Sequence, residues 1–178
     1  MKFLAISGSL RKASLNTSLL REAAKLVPSD VQMDVQTLSG FPMLDPDTLE
    51  GGFPEQVDKL AKQVKAADAL VLASPEFNYS VTAVMKNIID WLSIHPEAPL
   101  KHKPVAIMSA SPSGLGGARA QYQLRQMLIY PDAKVLGVPE VMVGNAFERF
   151  NDQGELTDET SKDLIKQQMA ALKDLCKC

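Results

Sequence analysis

The stretch MKFLAISGSLRKASLNTSLLREAAKL (residues 1–26) reads as a strand, a polar loop and a helix in immediate succession. Phe3, Leu4, Ala5 and Ile6 form the short apolar run of a buried strand. Ser7-Gly8-Ser9 breaks the run, Asn16-Thr17-Ser18 offers N-cap chemistry, and Leu15, Leu19, Leu20, Ala23, Ala24 and Val27 recur at helical spacing. Between strand and helix lie Ser7, Ser9, Ser14, Asn16, Thr17 and Ser18, with Arg11 and Lys12. Such a loop presents free backbone N–H groups and the positive end of a helix dipole, which suits an anion and most naturally a phosphate. An ordinary Ser/Asn-capped helix would have the same letters, so the segment leaves both readings open.

Working outward, residues 31–38 (VQMDVQTL) alternate apolar and polar as a strand near a sheet edge does. Residues 39–52 are rich in Gly, Pro and Asp and predict a loop with little regular structure. Val57, Leu60, Ala61 and Val64 mark a second helix over 54–66, and DALVLAS (68–74) a central strand buried on both faces. Pro75–Tyr79 follows at that strand's carboxyl end. Ser80 then begins a third helix, with Val84, Ile88, Ile89 and Leu92 as its buried stripe. A loop over 94–103 leads to the strand 104–108, the glycine-rich loop 109–117 and a fourth helix over 118–128. A last strand, over 133–136 and 140–143, is interrupted by Gly137 and Pro139. After a turn-rich link (151–157) the chain closes with a helix over 158–175, whose apolar positions are Leu164, Ile165, Met169, Leu172 and Leu175.

Strand and helix alternate about five times, which predicts a single three-layer α/β domain over residues 1–178 with a parallel sheet. Ligands of such sheets sit outside the carboxyl ends of the strands. Three unusual loops fall on that edge: 7–18, 74–80 and 109–117. A net charge of −2 with no basic block argues against a nucleic-acid partner. No apolar run reaches membrane-spanning length and no leader pattern opens the chain, so a cytoplasmic protein without a membrane partner is expected. Cys176 and Cys178 are spaced too tightly for an easy disulfide and have no companions for a zinc site, and are expected to form a frayed, silent tail.

The first loop lacks both G-x-x-x-x-G-K-[ST] and G-x-G-x-x-G, which removes support for a magnesium-dependent nucleotide site and for a dinucleotide fold. Hydroxyls without a magnesium ligand suit a phosphate monoester held by neutral donors and one arginine. Pro75–Tyr79 combines a fixed backbone, two aromatic rings and polar groups that could read the edge of a flat heterocycle. A Pro-initiated turn that merely covers the sheet end is the alternative. Phosphate at one loop and a planar ring at the next describe a mononucleotide-like ligand, with FMN the leading candidate.

Here the residues carry a resemblance. SGSLRKASLN (7–16), SPEFNYSVTAVMKNIIDWLS (74–93) and GLGGARAQYQLRQML (114–128) resemble the NADPH-dependent FMN reductases, and within them the quinone and chromate reductases, with azoreductases similar. The resemblance implies a flavodoxin-like three-layer sandwich with a five-stranded parallel sheet. It also implies non-covalent FMN, NADPH or NADH as donor, a small-molecule acceptor (quinone, azo compound, chromate or free flavin), and a homodimer or homotetramer. By position, the family's phosphate loop falls on Ser9, Arg11, Ser14, Asn16, Thr17 and Ser18. Its isoalloxazine loop falls on Pro75, Glu76, Phe77 and Asn78, and its third flavin-side loop on Ala110, Ser111 and Gly114. Phe77 stands where tyrosine is common, Thr82 and Ala83 replace a usual Pro-Gly, and Pro112 is a further departure.

Flavin chemistry asks little of side chains, so no catalytic acid or base is assigned. His95 and His102 are expected to be exposed, and Glu76 is placed to hold its charge against Arg11 or a partner subunit. Asp90 and Trp91 read as packing and interface residues. Arg119 and Arg125 suit a nucleotide phosphate or, more readily, a subunit interface, because their helix is expected to expose Tyr122 and Met127. A flavodoxin-like electron carrier or a flavin-binding regulator without NAD(P)H turnover is the rival reading, against which the nearly neutral charge counts.

Overall fold

The computed structural model describes residues 1–177; Cys178 lies outside them. The strands are β1 (Lys2–Ser7), β2 (Gln32–Thr37), β3 (Ala69–Ala73), β4 (Pro104–Ala110), β5 (Lys134–Val135) and β6 (Val141–Val143). The helices are α1 (Leu15–Leu26), α2 (Glu55–Ala66), α3 (Ala83–Ile94), α4 (Ala118–Met127), α5 (Ala146–Arg149) and α6 (Glu159–Leu175). All pairings are parallel, in the order β2-β1-β3-β4-β5, with β6 also on β4. This is the flavodoxin-like order, which reverses direction between β1 and β3.

Among the described residues there are six strands rather than the expected five, because the interrupted last strand is two pieces. Lys134–Val135 pairs with Pro104–Val105, Val141–Val143 pairs with Met108–Ala110, and the Val138–Pro139 link is cis. Two buried glutamines reach into the break from opposite layers. Gln121 Nε2 donates to the Val141 carbonyl (2.8 Å), and Gln168 Nε2 to the carbonyls of Ile107 (3.0 Å) and Pro139 (2.8 Å).

Period-two alternation sorts the strand residues into two unlike faces. Leu4, Ile6, Leu70, Leu72, Val105 and Ile107 meet α2, α3 and α4 on one side. Ala5, Ala69, Ala73, Ala106 and Ala110, with Phe3, Val71 and Met108, meet α1 and α6 on the other. Burying each large side chain contributes about 1.5–3 kcal/mol.

Three local expectations need correction. Helix α3 starts at Ala83, not Ser80, because Thr82 is its N-cap and Ser80 closes a turn; Val84 is accordingly only half-buried. The loop after β2 contains a 3-10 turn over Pro46–Gly51 and is held by α3: Trp91 Nε1 and Asn87 Nδ2 both donate to the Pro42 carbonyl (2.9 and 2.8 Å). Finally, His95 is buried, 4% exposed, with Asp58 Oδ1 at 3.5 Å and the Phe53 ring against it, whereas His102 is exposed as expected. Cys176 is half-buried, donates to the Leu172 carbonyl (3.2 Å), and has its thiol pKa pushed up by burial. Among the described residues, no helix is long and apolar enough to cross a membrane.

Candidate functional site

The loops after β1, β3 and β4 meet at the carboxyl edge of the sheet, and the Gly144-Asn145 turn after β6 joins them with the start of α5. At the first, Ser14 adopts an extended conformation (φ −84°, ψ 121°) and its Oγ accepts the Thr17 N–H (3.2 Å). The N–H groups of Leu15 and Asn16 find no acceptor among the described residues. Asn16 is 3% exposed and grips the end of β4 with both halves of its amide: Nδ2 donates to the Ala110 carbonyl (2.8 Å) and Oδ1 accepts the Ala110 N–H (3.0 Å). Beneath the loop, the hydroxyls of Thr17 and Ser7 bond each other (2.7 Å). The Thr82 hydroxyl donates to the Gly8 carbonyl (2.6 Å), drawing α3 so close that a Cβ on Gly8 would sit 3.0 Å from Met85 Cε.

The second loop is a tight turn. Phe77 and Ser80 exchange both backbone bonds (2.9 Å each) around Asn78 and Tyr79, whose φ values of 51° and 61° are those of a type I′ turn. Phe77, Asn78 and Tyr79 are exposed, but the Glu76 side chain is only 10% exposed. Its Oε2 accepts the N–H groups of Arg119 (3.0 Å) and Ala120 (3.2 Å), and its Oε1 faces Arg119 Nη1 at 3.4 Å. The partner is therefore Arg119 and not Arg11, because the first turn of α4 brings two backbone donors as well as a cation to the carboxylate. The Arg119 guanidinium also lies 4.1 Å over the Tyr79 ring. Arg125 Nη1 donates to the Leu136 carbonyl (2.7 Å) and its Nη2 lies 3.5 Å from Glu140. Tyr122 is exposed, while Met127 packs partly against the core.

The third loop is pressed against the turn after β6. Asn145 and Ala146 donate to the carbonyls of Ser113 (3.2 Å) and Ser111 (3.1 Å), and Ser111 donates to Val143 (3.0 Å). Gly117, the N-cap of α4, has φ +87°, and a Cβ there would lie 2.8 Å from Ser109 Oγ.

Together these loops enclose a cavity of about 400 Å³. Of the residues expected at a ligand site, Ser9, Arg11, Ser14, Asn16, Pro75, Phe77 and Ala110 line it. Thr17 is buried beneath it, and Ser18 faces Gly154 instead, where a Cβ would lie 3.0 Å from the serine Oγ. Glu76, Asn78, Ser111 and Gly114 do not line it, although Glu76, Asn78 and Ser111 are chain neighbours of residues that do. Phe147, 68% exposed, lines the cavity and was missed. Its signal was the Gly144-Asn145 break after β6, which topology places on the same edge. An apolar cavity of about 370 Å³ adjoins, sharing Ser9, Arg11, Pro75 and Phe77 and reaching Val84. Arg11, which lines both cavities, is exposed and forms no salt bridge with a described residue, so it brings an unpaired positive charge to them.

Residues 1–148 match the sequence pattern described as NADPH-dependent FMN reductase. The chain is 46% identical over 172 residues to an NAD(P)H-dependent FMN reductase of Pseudomonas aeruginosa, covering 97% of this chain and 93% of that one. It is 40% identical over 174 residues to a quinone reductase of Escherichia coli, covering 96% and 93%. Among solved structures, the flavoenzyme NAD(P)H:(acceptor) oxidoreductase FerB of Paracoccus denitrificans superposes with a TM-score of 0.88 at 28% identity, over 99% of this chain and 97% of that one. Because the matched pattern runs from β1 through β6 and the relatives share it along nearly their full length, this chain belongs to the NADPH-dependent FMN reductase family, enzymes that work with FMN and a nicotinamide donor.

Proposed function

We propose that residues 1–178 form one flavodoxin-like domain that holds FMN non-covalently in the carboxyl-edge cavity and passes electrons from NADPH or NADH to a small-molecule acceptor. A quinone is the first acceptor class, supported by the E. coli relative's name, with azo compounds, chromate and free flavin following. The observation that carries the reading is at the head of the cavity. There the open N–H groups of Leu15 and Asn16 stand beside the free cation of Arg11 and the hydroxyls of Ser9 and Ser14. This donor set fits a phosphate monoester, since helix N-termini and arginine favour a compact anion.

The rest of the cavity fits a flat ring. Pro75, Phe77, Pro112 and Phe147 provide apolar walls, and the N–H groups of Glu76, Asn78 and Gly114 have no acceptor among the described residues. When bound, FMN supplies hydride acceptance from a nicotinamide and electron transfer to an acceptor. The chain's part is to bind, orient and exclude water. Arg11 and the serines hold the phosphate, the loops hold the ring edge, and no side chain is assigned a proton. The exposed Tyr79, Tyr122, Ile129 and Tyr130 support assembly as a homodimer or homotetramer, and a cytoplasmic location accords with the NAD(P)H donor.

The test is the visible absorption spectrum of purified protein, before and after adding NADPH or NADH, followed by NAD(P)H oxidation with a quinone or ferricyanide. A flavin spectrum bleached by nicotinamide and steady turnover are expected. Bound FMN without nicotinamide oxidation would favour an electron carrier or regulator, and a colourless protein that takes up no FMN would refute the reading.

A further inference from the structure

We infer that Glu76 is a positioning residue for the flavin site: its carboxylate closes the start of α4 and thereby holds the Pro75–Phe77 backbone in place. The inference rests on the FMN reading above. Helix α4 cannot cap itself, because its N-cap is Gly117, which has no side chain to offer. The acceptor comes instead from 43 residues earlier in the chain, where Glu76 Oε2 takes the N–H groups of Arg119 and Ala120 while Oε1 faces the Arg119 guanidinium. A carboxylate in this position also complements the helix dipole.

The other end of the same turn is tied to the same helix. Gln123 Nε2 donates to the Tyr79 carbonyl (3.1 Å), the Ser80 hydroxyl bonds Gln123 Oε1, and Arg119 lies over the Tyr79 ring. Residues 76–80 thus sit on α4 at two points, with the type I′ turn rigid between them. Both carboxylate oxygens of Glu76 are engaged away from the cavity, which Pro75 and Phe77 line on either side of it. The residue acts on the ring site through the backbone it anchors.

The experiment compares Glu76→Ala with Glu76→Gln, which keeps an acceptor oxygen but no charge. Three readouts are taken: amide hydrogen exchange of the FMN-free protein, the FMN dissociation constant, and the flavin midpoint potential. In Glu76→Ala the Arg119 and Ala120 amides should exchange at least roughly tenfold faster, and the FMN dissociation constant should rise roughly tenfold, as loss of the acceptor for two N–H groups implies. Glu76→Gln should recover most of both and keep the wild-type potential. If Glu76→Ala does not fold, Glu76→Asp, one methylene short of the two N–H groups, replaces it with the same expected directions. A potential displaced as far in Glu76→Gln as in Glu76→Ala would overturn the inference in favour of a charge acting on the flavin. Faster exchange with unchanged FMN affinity would overturn it as well, leaving a cap without consequence for the site. A wild-type protein that binds no FMN would refute the flavin reading itself, and the exchange data would report that failure separately.

Discussion

Helices α1 and α4 both begin at the carboxyl edge of the sheet, and their first turns have opposite fates. The first turn of α1 is capped by its own Ser14, leaving the N–H groups of Leu15 and Asn16 open toward the cavity with Arg11 nearby. The first turn of α4 is closed from outside by Glu76, so its dipole already has its anion. The contrast shows which helix start has donors to spare. One keeps open N–H groups beside the cavity, and the other anchors the loop that carries Glu76; on the proposed function, the first would receive the FMN phosphate and the second would support the loop beside the ring.

The strongest test of the contrast is Asn16→Ala. It leaves α1 its cap but strips the Ala110 N–H and carbonyl of their shared partner. With buried unpaired groups costing about 1–3 kcal/mol each, urea unfolding of the FMN-free protein should show a loss of about 2–6 kcal/mol. An unchanged midpoint would show that the amide is not what joins the first loop to β4. Gly117→Ala strikes the other helix start. A left-handed φ and a Cβ pressed on Ser109 should cost about 1–3 kcal/mol, read as a lower melting temperature.

Arg11→Ala sharpens the ligand side alone. FMN should bind roughly tenfold more weakly, about 1.4 kcal/mol, by a margin that shrinks as salt is raised. The melting temperature of the FMN-free protein should stay put, because Arg11 is exposed; a fall there would mean the arginine serves the scaffold.

The smallest effect concerns α6, which has its own side-chain N-cap in Asp158. Asp158 accepts the N–H and the hydroxyl of Ser161 (2.8 and 2.6 Å) and pairs with Arg149 (2.8 Å). The Ser161 bonds above all hold its carboxyl pKa below the ordinary 3.8. A depressed folded-state pKa means stability that is complete above about pH 4 and lost as pH falls through the lower, folded value. Asp158→Ala should therefore cost about 1 kcal/mol near neutrality. Thermal melts across pH should show the gap to wild type closing below pH 3.8; a gap independent of pH would refute the assignment.

Much of this was legible in the letters. The apolar runs of β1, β3 and β4 and the helical spacing of α1, α2 and α6 led directly to the layered parallel sheet. Parallel topology alone then put three loops on one edge. The break at Gly137 and Pro139 was visible too, though not that it splits the strand into separately paired halves. The site was legible by loop and only partly by residue. Ser9, Arg11, Pro75 and Phe77 line the cavity as expected, whereas Ser18 faces Gly154 and Glu76 faces Arg119. The burial of His95 depends on Phe53 and Asp58, neither of which advertises a partner.

From its sequence alone this protein had its element order, its parallel sheet and the chemical character of its loops, because hydrophobic periodicity and turn chemistry act between residues a few positions apart. Only the tertiary structure chose the partners. Asn16 meets Ala110 across 94 residues and Glu76 meets Arg119 across 43, and Phe147 arrives at the cavity from α5. Hydrogen-bond donors and acceptors are interchangeable in kind, and only packing the two faces of the sheet brings a particular pair within 3 Å.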